Sequence, residues 1–207
     1  MLKSGLVSVS FRKLSVDEII KEVVACGLRA IEWGGDVHVP HGDIEKAKEV
    51  YRKCTDEGLD IAAYGSYYKA GESELSIPFY TVLSTAVALH APTIRVWAGN
   101  KDSKDADEKY RLLVSDDLKR IGDLAKKAGI SISLEYHVHT LTDTLDSALR
   151  LIKEVNHDNV LNYWQPPVNI SHEECKTGLK SILPKLTNIH VYHWTYENND
   201  YIRFALA

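Results

Sequence analysis

Three residues of this sequence combine the types and positions that metal-assisted chemistry requires. Residues 131–144 read SISLEYHVHTLTDT, so Glu135 stands inside a run that otherwise reads as a buried strand. His190 occupies the same kind of position in the segment 188–194, NIHVYHW. A carboxylate and an imidazole that converge in a sheltered pocket can bind a divalent cation, and this mixture of ligands favours Zn²⁺ or Mn²⁺. Gln165, which lies between them in the chain, could add a carbonyl oxygen.

Further polar and aromatic residues follow predicted strands and could contact a substrate. Tyr64 opens an aromatic, hydroxyl-rich stretch that would suit a sugar, and His38 lies on a loop after the glycine pair 34–35. A structural alternative stays open, in which Glu135 forms an ion pair with Arg95 and the histidines simply make hydrogen bonds. The candidate substrate contacts are His38, Tyr64, Arg95, Trp97, His137 and His193.

Short apolar runs alternate with longer amphipathic segments along the whole chain. Ser15 and Glu18 have the spacing of a capping box, and the helix that they begin stops at Gly27. An apolar helix is predicted over 73–90, with Pro78 in its first turn. The predicted strands are 6–10, 29–33, 60–65, 93–99, 131–137, 159–164 and 188–194.

Seven predicted strands separated by six helices indicate an α/β fold with a parallel sheet. Such a sheet can close as a TIM-type (β/α) barrel or stay open and doubly wound. Strand after strand ends in a polar or aromatic residue, as a barrel requires when all strand ends surround one mouth. An open sheet needs functional residues only at its switch point, and no GxGxxG or GxxxxGKS/T motif follows the first strand. The pattern therefore favours the barrel.

The composition excludes several classes of function. The chain has 207 residues, 44% of them hydrophobic and 26% charged, which is typical of one globular domain over residues 1–207. The net charge is -4 with the two signs interleaved, so neither nucleic acid nor a membrane is indicated as a partner. The three cysteines are scattered and no segment reads as a signal peptide or a membrane span, so we expect a cytoplasmic protein.

Five segments in register resemble the sugar isomerase/epimerase superfamily with the xylose-isomerase-like barrel, which also contains endonuclease IV-type DNA repair enzymes. They read IEWGGDVHVP, IRVWAG, SLEYHVHTLTDT, NYWQPP and IHVYHW, and they match the family's second, fourth, fifth, sixth and seventh strands in order. The resemblance implies a divalent metal (Mn²⁺, Zn²⁺ or Mg²⁺) held by Glu, Asp, His and Glu on strands five to eight. The matching residues here are Glu135, Gln165 and His190.

Two departures from the family pattern bear on the site and on the fold. Gln165 stands where the family has Asp, which removes one negative charge from the metal site. The sequence ends at YIRFALA, before an eighth strand and a last helix, so we expect an incomplete barrel of seven strands. Such a barrel has two unpaired edges. The chain would then be a truncated product of a longer gene, or another segment or a second copy in a homo-oligomer would cover the gap.

The function that the resemblance implies is that of a metal-dependent sugar isomerase or epimerase. Its substrate would be a small carbohydrate, its cation would stabilise an enediolate, and Glu135 would move the proton. Because one family carboxylate is replaced and another is missing, an impaired site or a non-catalytic carbohydrate-binding or regulatory barrel stays open. The net charge of -4 disfavours DNA repair of the endonuclease IV type.

Overall fold

Seven parallel strands form one sheet whose order follows the chain. The computed structural model describes residues 2–72, 77–167, 170–197 and 200–204. The strands are β1 Gly5–Val7, β2 Ala30–Gly34, β3 Asp60–Lys69, β4 Thr93–Trp97, β5 Ser131–Leu134, β6 Val160–Trp164 and β7 Leu186–Ile189. This order confirms the predicted TIM-type fold. Within the described residues the barrel is incomplete, because β1 and β7 lie at the edges of the sheet.

Six α-helices alternate with the strands, and local signals in the sequence set their ends. They are α1 Val16–Ala25, α2 Ile44–Asp56, α3 Phe79–Ala88, α4 Glu108–Lys127, α5 Leu145–Val155 and α6 His172–Ile182. The predicted capping box of α1 is present: the Ser15 hydroxyl accepts from the Glu18 backbone N–H, and the Glu18 carboxylate accepts from the Ser15 N–H. Gly27 follows α1 with a φ of 66°, which glycine adopts without strain.

As far as the described residues extend, none of the helices is both long enough and apolar enough to cross a membrane.

The third helix is shorter than its apolar pattern predicts. The sequence predicts a helix over 73–90, whereas α3 begins at Phe79, and residues 73–76 lie outside the described part of the chain. Pro78 has a ψ of 127°, an extended conformation, so it precedes the helix instead of occupying its first turn.

The last predicted strand is divided between two sheets. The sequence predicts one strand over 188–194, whereas β7 ends at Ile189. Residues His193–Glu197 form β8 and pair antiparallel with Asp200–Phe204, β9, in a separate two-stranded sheet. Two antiparallel strands need only a short connection, so this segment forms its backbone hydrogen bonds locally instead of extending the main sheet.

The main sheet curves strongly enough to bring its second and seventh strands together. In a flat sheet the backbones of β2 and β7 would be about 24 Å apart, because neighbouring strands are about 4.8 Å apart. His190 directly follows β7, yet its Nε2 atom lies 3.0 Å from Oε2 of Glu32 on β2. This contact requires a curved wall, so the structure confirms the barrel over the open sheet.

An apolar core fills the space between the outside of the sheet and the helices. Five helices each contribute a fully buried aliphatic side chain, namely Ile19, Val50, Val82, Leu118 and Leu151. A chain of hydroxyl groups links β4, β5 and β7, since Thr93 Oγ1 lies 2.7 Å from Ser133 Oγ, which lies 3.0 Å from Thr187 Oγ1. These strands thus pack apolar side chains against the helices, while the hydroxyl side chains of Thr93, Ser133 and Thr187 contact one another.

Two leucines of α4 test whether this core carries the stability of the fold. Leu118 is fully buried, so we expect Leu118→Ala to lower the free energy of unfolding by about 2–5 kcal/mol. Leu112 on the same helix is 59% exposed, so Leu112→Ala should change that free energy by less than about 0.5 kcal/mol. Urea denaturation followed by circular dichroism measures both values, and equal losses would contradict this packing.

Candidate active site

Four ionisable side chains, two within strands and two directly after strands, meet in one buried group, which we call the strand-end network. Glu32 belongs to β2 and Arg95 to β4, while Glu135 directly follows β5. The Arg95 Nε donates to Oε1 of Glu32 at 2.5 Å, and its Nη1 donates to Glu135. His190, which follows β7, has its Nε2 3.0 Å from Oε2 of Glu32 and its Nδ1 3.6 Å from Oε1 of Glu135. Acidic and basic groups therefore alternate around a closed ring of contacts.

Pairing keeps the members of the network charged in spite of their burial. Burial by itself raises the pKa of Glu32, but the Arg95 charge and the hydrogen bond from His190 bring it down to about 2. Burial also opposes ionisation of Glu135, yet the neighbouring His190 imidazolium and the Arg95 charge lower its pKa. Burial acts to lower the pKa of His190, but the nearby Glu135 carboxylate and the hydrogen bond to Glu32 raise it to about 9. At neutral pH the network holds two anions and two cations.

Gly65 on β3 makes the ion pair between β2 and β4 possible. A Cβ atom at this position would lie 2.7 Å from Nη2 of Arg95 and 3.1 Å from Oε1 of Glu32. A larger residue would therefore push the guanidinium away from its partner. The glycine leaves β3 without a side chain at the point where the side chains of its two neighbouring strands meet.

Aromatic side chains form a rim beside the network. The Trp97 Nε1 donates to Oε2 of Glu135 at 2.7 Å, and the indole stacks on His137 with ring centroids 4.5 Å apart. Tyr67 meets Trp97 edge-on at 5.7 Å, and the Arg95 guanidinium lies 5.2 Å from the Tyr67 ring centroid. Tyr67 has a φ of 57°, and such strained positions of residues other than glycine cluster at functional sites.

Tyr163 of β6 packs against the network and is itself buried. Its ring meets the His190 ring edge-on, with centroids 4.9 Å apart. Burial and the charge of Glu32 raise the pKa of its phenol well above the ordinary value, so the hydroxyl stays neutral. This hydroxyl has no hydrogen-bond partner within the part of the chain that the structure describes. It is therefore an uncommitted polar atom next to the charged groups.

A cavity of about 1200 Å³ lies along the open side of the barrel and extends to the starts of the strands, where residues 58–62 line it. Its wall includes residues 5–7 from β1 and residues 186–191 from β7 and the turn after it. Glu32 and His190 also line it. Neither Glu135 nor the aromatic rim lines this cavity, so it reaches the network from the side opposite to the rim.

Glu135 and His190 fit a divalent cation as a pair of ligands. Their facing atoms are 3.6 Å apart, near the roughly 3.4 Å between two tetrahedral ligands of one Zn²⁺. Glu32 on the other ring nitrogen would orient the imidazole, as carboxylates do at metal sites. Gln165, the third predicted ligand, is engaged elsewhere, since its side-chain nitrogen donates to the backbone carbonyl of Tyr136. Among the described residues no group of three or more His, Cys, Asp or Glu is arranged for a metal ion.

Two residues predicted to contact a substrate are buried with protein partners instead. His38 is 5% exposed, and its ring nitrogens lie 3.0 Å from the Ser8 hydroxyl and 3.2 Å from the Leu14 carbonyl. Tyr64 is fully buried, and its hydroxyl donates to the Val39 carbonyl at 2.9 Å. These contacts hold the loops that follow β1 and β2. The proposed site therefore does not include His38 or Tyr64.

The remaining substrate candidates divide between the network and the hairpin. Arg95 is a member of the network, and Trp97 and His137 form part of its rim. His193 is exposed on β8, where its ring lies 5.0 Å from that of Phe204. Because β7 ends before His193, this residue belongs to the hairpin and not to the strand end that carries His190.

Sequence reasoning missed Glu32 and Gly65 as site residues. Glu32 carries the same signal as Glu135, because it is an acid inside AIEWG, the buried run that forms β2. Gly65 is a glycine within a strand, a pattern that indicates close approach of neighbouring groups. Neither signal names the partner across the barrel, since Glu32 and His190 are 158 residues apart in the chain.

Deprotonation of His190 should weaken the fold at alkaline pH. An imidazole whose pKa is near 6.5 in the unfolded chain and about 9 in the folded chain stabilises the folded state fully below pH 6.5. That contribution is lost as the pH rises through 9. In urea denaturation with EDTA between about pH 6 and pH 10, the free energy of unfolding should therefore fall more steeply in the wild type than in His190→Gln.

An exposed histidine provides the control for this measurement. His172 lies exposed at the start of α6, so His172→Gln should keep the wild-type dependence on pH. If the free energies of unfolding of the wild type and of His190→Gln differed by the same amount at every pH, the assigned contacts of His190 would be contradicted.

Comparison with known sequences gives one family and one curated relative. Residues 20–167 match the family described as xylose isomerase-like TIM barrel. A 3-dehydroshikimate dehydratase from Bacillus anthracis is 28% identical over 181 residues, which are 79% of this chain and 64% of that protein. The chain thus spans less than two thirds of the length of this relative.

Solved structures share the fold. The probable 3-DHS dehydratase AsbF from Bacillus anthracis matches with a TM-score of 0.76 and 24% identity over 96% of this chain and 75% of that chain. The 3-keto-D-glucoside 4-epimerase YcjR from E. coli, in its apo form, matches with a TM-score of 0.75 and 19% identity over 93% and 80%.

A third solved structure contains a metal ion. It is a xylose isomerase-like TIM barrel protein from Mycobacterium smegmatis in complex with magnesium. It matches with a TM-score of 0.71 and 17% identity over 96% of this chain and 78% of that chain. Because the family match covers more than half of the sequence and the fold agrees, the chain belongs to the xylose isomerase-like TIM barrel family.

Proposed function

We propose that this chain carries the active site of an enzyme that takes a proton from the carbon beside a carbonyl group of a small polyhydroxylated substrate. The observation that most supports this is the position of Glu135, an ionised carboxylate between Arg95 and His190 at a strand end. Barrels of this type have their active sites at the carboxyl ends of the strands.

Glu135 is the carboxylate of the network best placed to accept the proton. Both oxygens of Glu32 are engaged within 3.0 Å, one by Arg95 and the other by His190. In Glu135, Oε2 accepts from Arg95 and Trp97, whereas Oε1 lies 3.6 Å from His190, which is longer than a hydrogen bond. Oε1 can therefore accept a proton from a substrate, and the two neighbouring cations supply positive charge for the enolate oxygen that forms.

Loss of water from the enolate is the first candidate reaction. It is supported by the 28% identity with a 3-dehydroshikimate dehydratase. After Glu135 takes the proton, the enolate would expel the hydroxyl group on the next carbon, and the Glu135 carboxylic acid would pass the proton to it so that it leaves as water. From a cyclic enone such as 3-dehydroshikimate, this elimination and one further enolisation give an aromatic dihydroxybenzoate.

Return of the proton is the second candidate reaction, and it would make the same site a sugar isomerase or epimerase. The rim of Tyr67, Trp97 and His137 favours it, because flat aromatic faces suit the C–H faces of a sugar. The proton would return to the opposite face of the same carbon or to the adjacent carbon of an enediolate. The two candidates share their first step and differ only in the fate of the enolate.

A divalent cation (Mn²⁺, Zn²⁺ or Mg²⁺) is part of the proposal. Glu135 and His190 would hold it, the cation taking the place of the proton on Nδ1 of His190, and when bound it would supply Lewis acidity to the substrate carbonyl. The magnesium complex of a barrel from the same family supports this choice.

Exchange of substrate hydrogen with solvent deuterium tests the shared first step. We expect the purified chain to exchange the hydrogen beside the carbonyl of 3-dehydroshikimate or of a ketose, as measured by proton NMR in D₂O. Glu135→Gln removes the base and should lower this rate about 10²–10⁴-fold. Glu154→Gln breaks another ion pair, with Arg111 between α4 and α5, and should keep the rate.

The product then separates the two candidates. Ultraviolet absorption of an aromatic product from 3-dehydroshikimate indicates a dehydratase, and a new ketose or aldose on chromatography indicates an isomerase or epimerase. Calorimetric binding of these compounds without exchange of any of them would contradict the proposal and favour a non-catalytic carbohydrate-binding barrel.

Titration calorimetry with MnCl₂ tests the proposed pair of metal ligands. We expect Glu135→Gln and His190→Gln each to weaken Mn²⁺ binding by more than about tenfold, since each removes a ligand. Glu154→Gln should bind Mn²⁺ as the wild type does. Equal affinities of the wild type and Glu135→Gln would show that the cation binds away from this site.

A further inference from the structure

We infer that Glu32 is a positioning residue, which holds the His190 imidazole in the orientation that turns Nδ1 toward Glu135. The inference deepens the proposed function and rests on it for the part that His190 plays in the reaction. Glu32 lies on β2 and His190 follows β7, so their contact spans the barrel. It joins two elements that share no ladder in the sheet.

Three contacts of different kinds fix the His190 ring. Its backbone N–H donates to the Trp164 carbonyl at 2.9 Å, which anchors the start of the side chain. The Tyr163 ring packs against the imidazole edge-on. With these two contacts in place, the hydrogen bond between Nε2 and Glu32 sets the rotation of the ring. That rotation leaves Nδ1 3.6 Å from Oε1 of Glu135, on the side assigned to the reaction.

Arg95 fixes Glu32 in turn. Its Nε donates to Oε1 of Glu32 at 2.5 Å, and its Nη1 donates to Glu135, so one guanidinium joins both carboxylates. Glu32 and Arg95 are each 3% exposed, so the pair is shielded from water. Gly65 leaves the room that this pair needs, because a Cβ atom there would lie 2.7 Å from Nη2 of Arg95.

The geometry favours positioning over direct proton transfer as the role of Glu32. Both of its oxygens are engaged by protein groups, so neither is available to a substrate. Its influence on the reaction must then pass through His190 and Arg95. Carboxylates that orient a histidine in this way typically change metal affinity or activity by about 10–100-fold.

NMR of the chain labelled with ¹⁵N-histidine, without metal or substrate, tests the orientation directly. Glu32→Gln keeps the shape of the side chain but replaces one acceptor oxygen by an NH₂ donor. With Arg95 holding the remaining oxygen, the NH₂ group would face Nε2 of His190, which can then no longer donate a hydrogen bond there. We expect the ring nitrogen shifts of His190, assigned with His190→Gln, to change in Glu32→Gln and to stay unchanged in Glu154→Gln.

Kinetics separate positioning from a general loss of stability. With whichever substrate shows exchange, Glu32→Gln should lower kcat about 10–100-fold and leave KM nearly unchanged. Glu32→Asp keeps the charge and should recover part of kcat. Glu154→Gln, which breaks the ion pair with Arg111, should leave both constants unchanged.

The inference would be overturned if the ring nitrogen shifts of His190 in Glu32→Gln matched those of the wild type. It would also be overturned if Glu32→Gln lowered kcat no more than Glu154→Gln does. Should Glu32→Gln not fold, Gly65→Ala carries the test, because it keeps every charge and displaces Arg95 from Glu32; unchanged His190 shifts would then overturn the inference. If no substrate shows exchange, the proposed function fails, while the NMR comparison still decides the role of Glu32.

Discussion

Burying a charge is unfavourable unless an opposite charge lies within hydrogen-bond distance, and this constraint shapes the barrel. Two carboxylates, a guanidinium and an imidazole, from β2, β4 and the ends of β5 and β7, meet in the strand-end network. Removing one partner of such a group typically costs about 3–5 kcal/mol, because the remaining charge stays buried. The partners reach each other only if the sheet curves. The contacts that balance the charges therefore also hold the wall around the candidate active site.

Residues around the network satisfy the same constraint. Because Gly65 has no side chain, the ion pair between Glu32 and Arg95 can form across β3. Trp97 donates a hydrogen bond to Glu135 in addition to the Arg95 ion pair, and its ring forms part of the rim. Dehydratases and epimerases both occur among the proteins that share this fold. The fold alone therefore does not decide which reaction a barrel of this kind catalyses.

Much of the fold follows from local patterns, and these can be read from the sequence. The capping box at Ser15 and the glycines after the helices define helix ends, because they depend on residues three or four positions apart. The predicted element bounds differ from the observed ones where the same sequence pattern is compatible with more than one structure. The apolar segment after Ile189 can extend the main sheet or pair with a later segment, and the choice depends on which partner strand is near.

The sequence by itself determined the alternation of strands and helices and the parallel sheet. It also singled out Glu135 and His190 as candidate site residues, because an acid or an imidazole in a buried run stands out locally. Only the tertiary structure decided that Glu32 joins them and that His38 turns into the protein to meet Ser8 and Leu14. The reason is physical. Which polar atoms satisfy one another across a barrel depends on its curvature and on distances between residues far apart in the chain, and no local pattern encodes those.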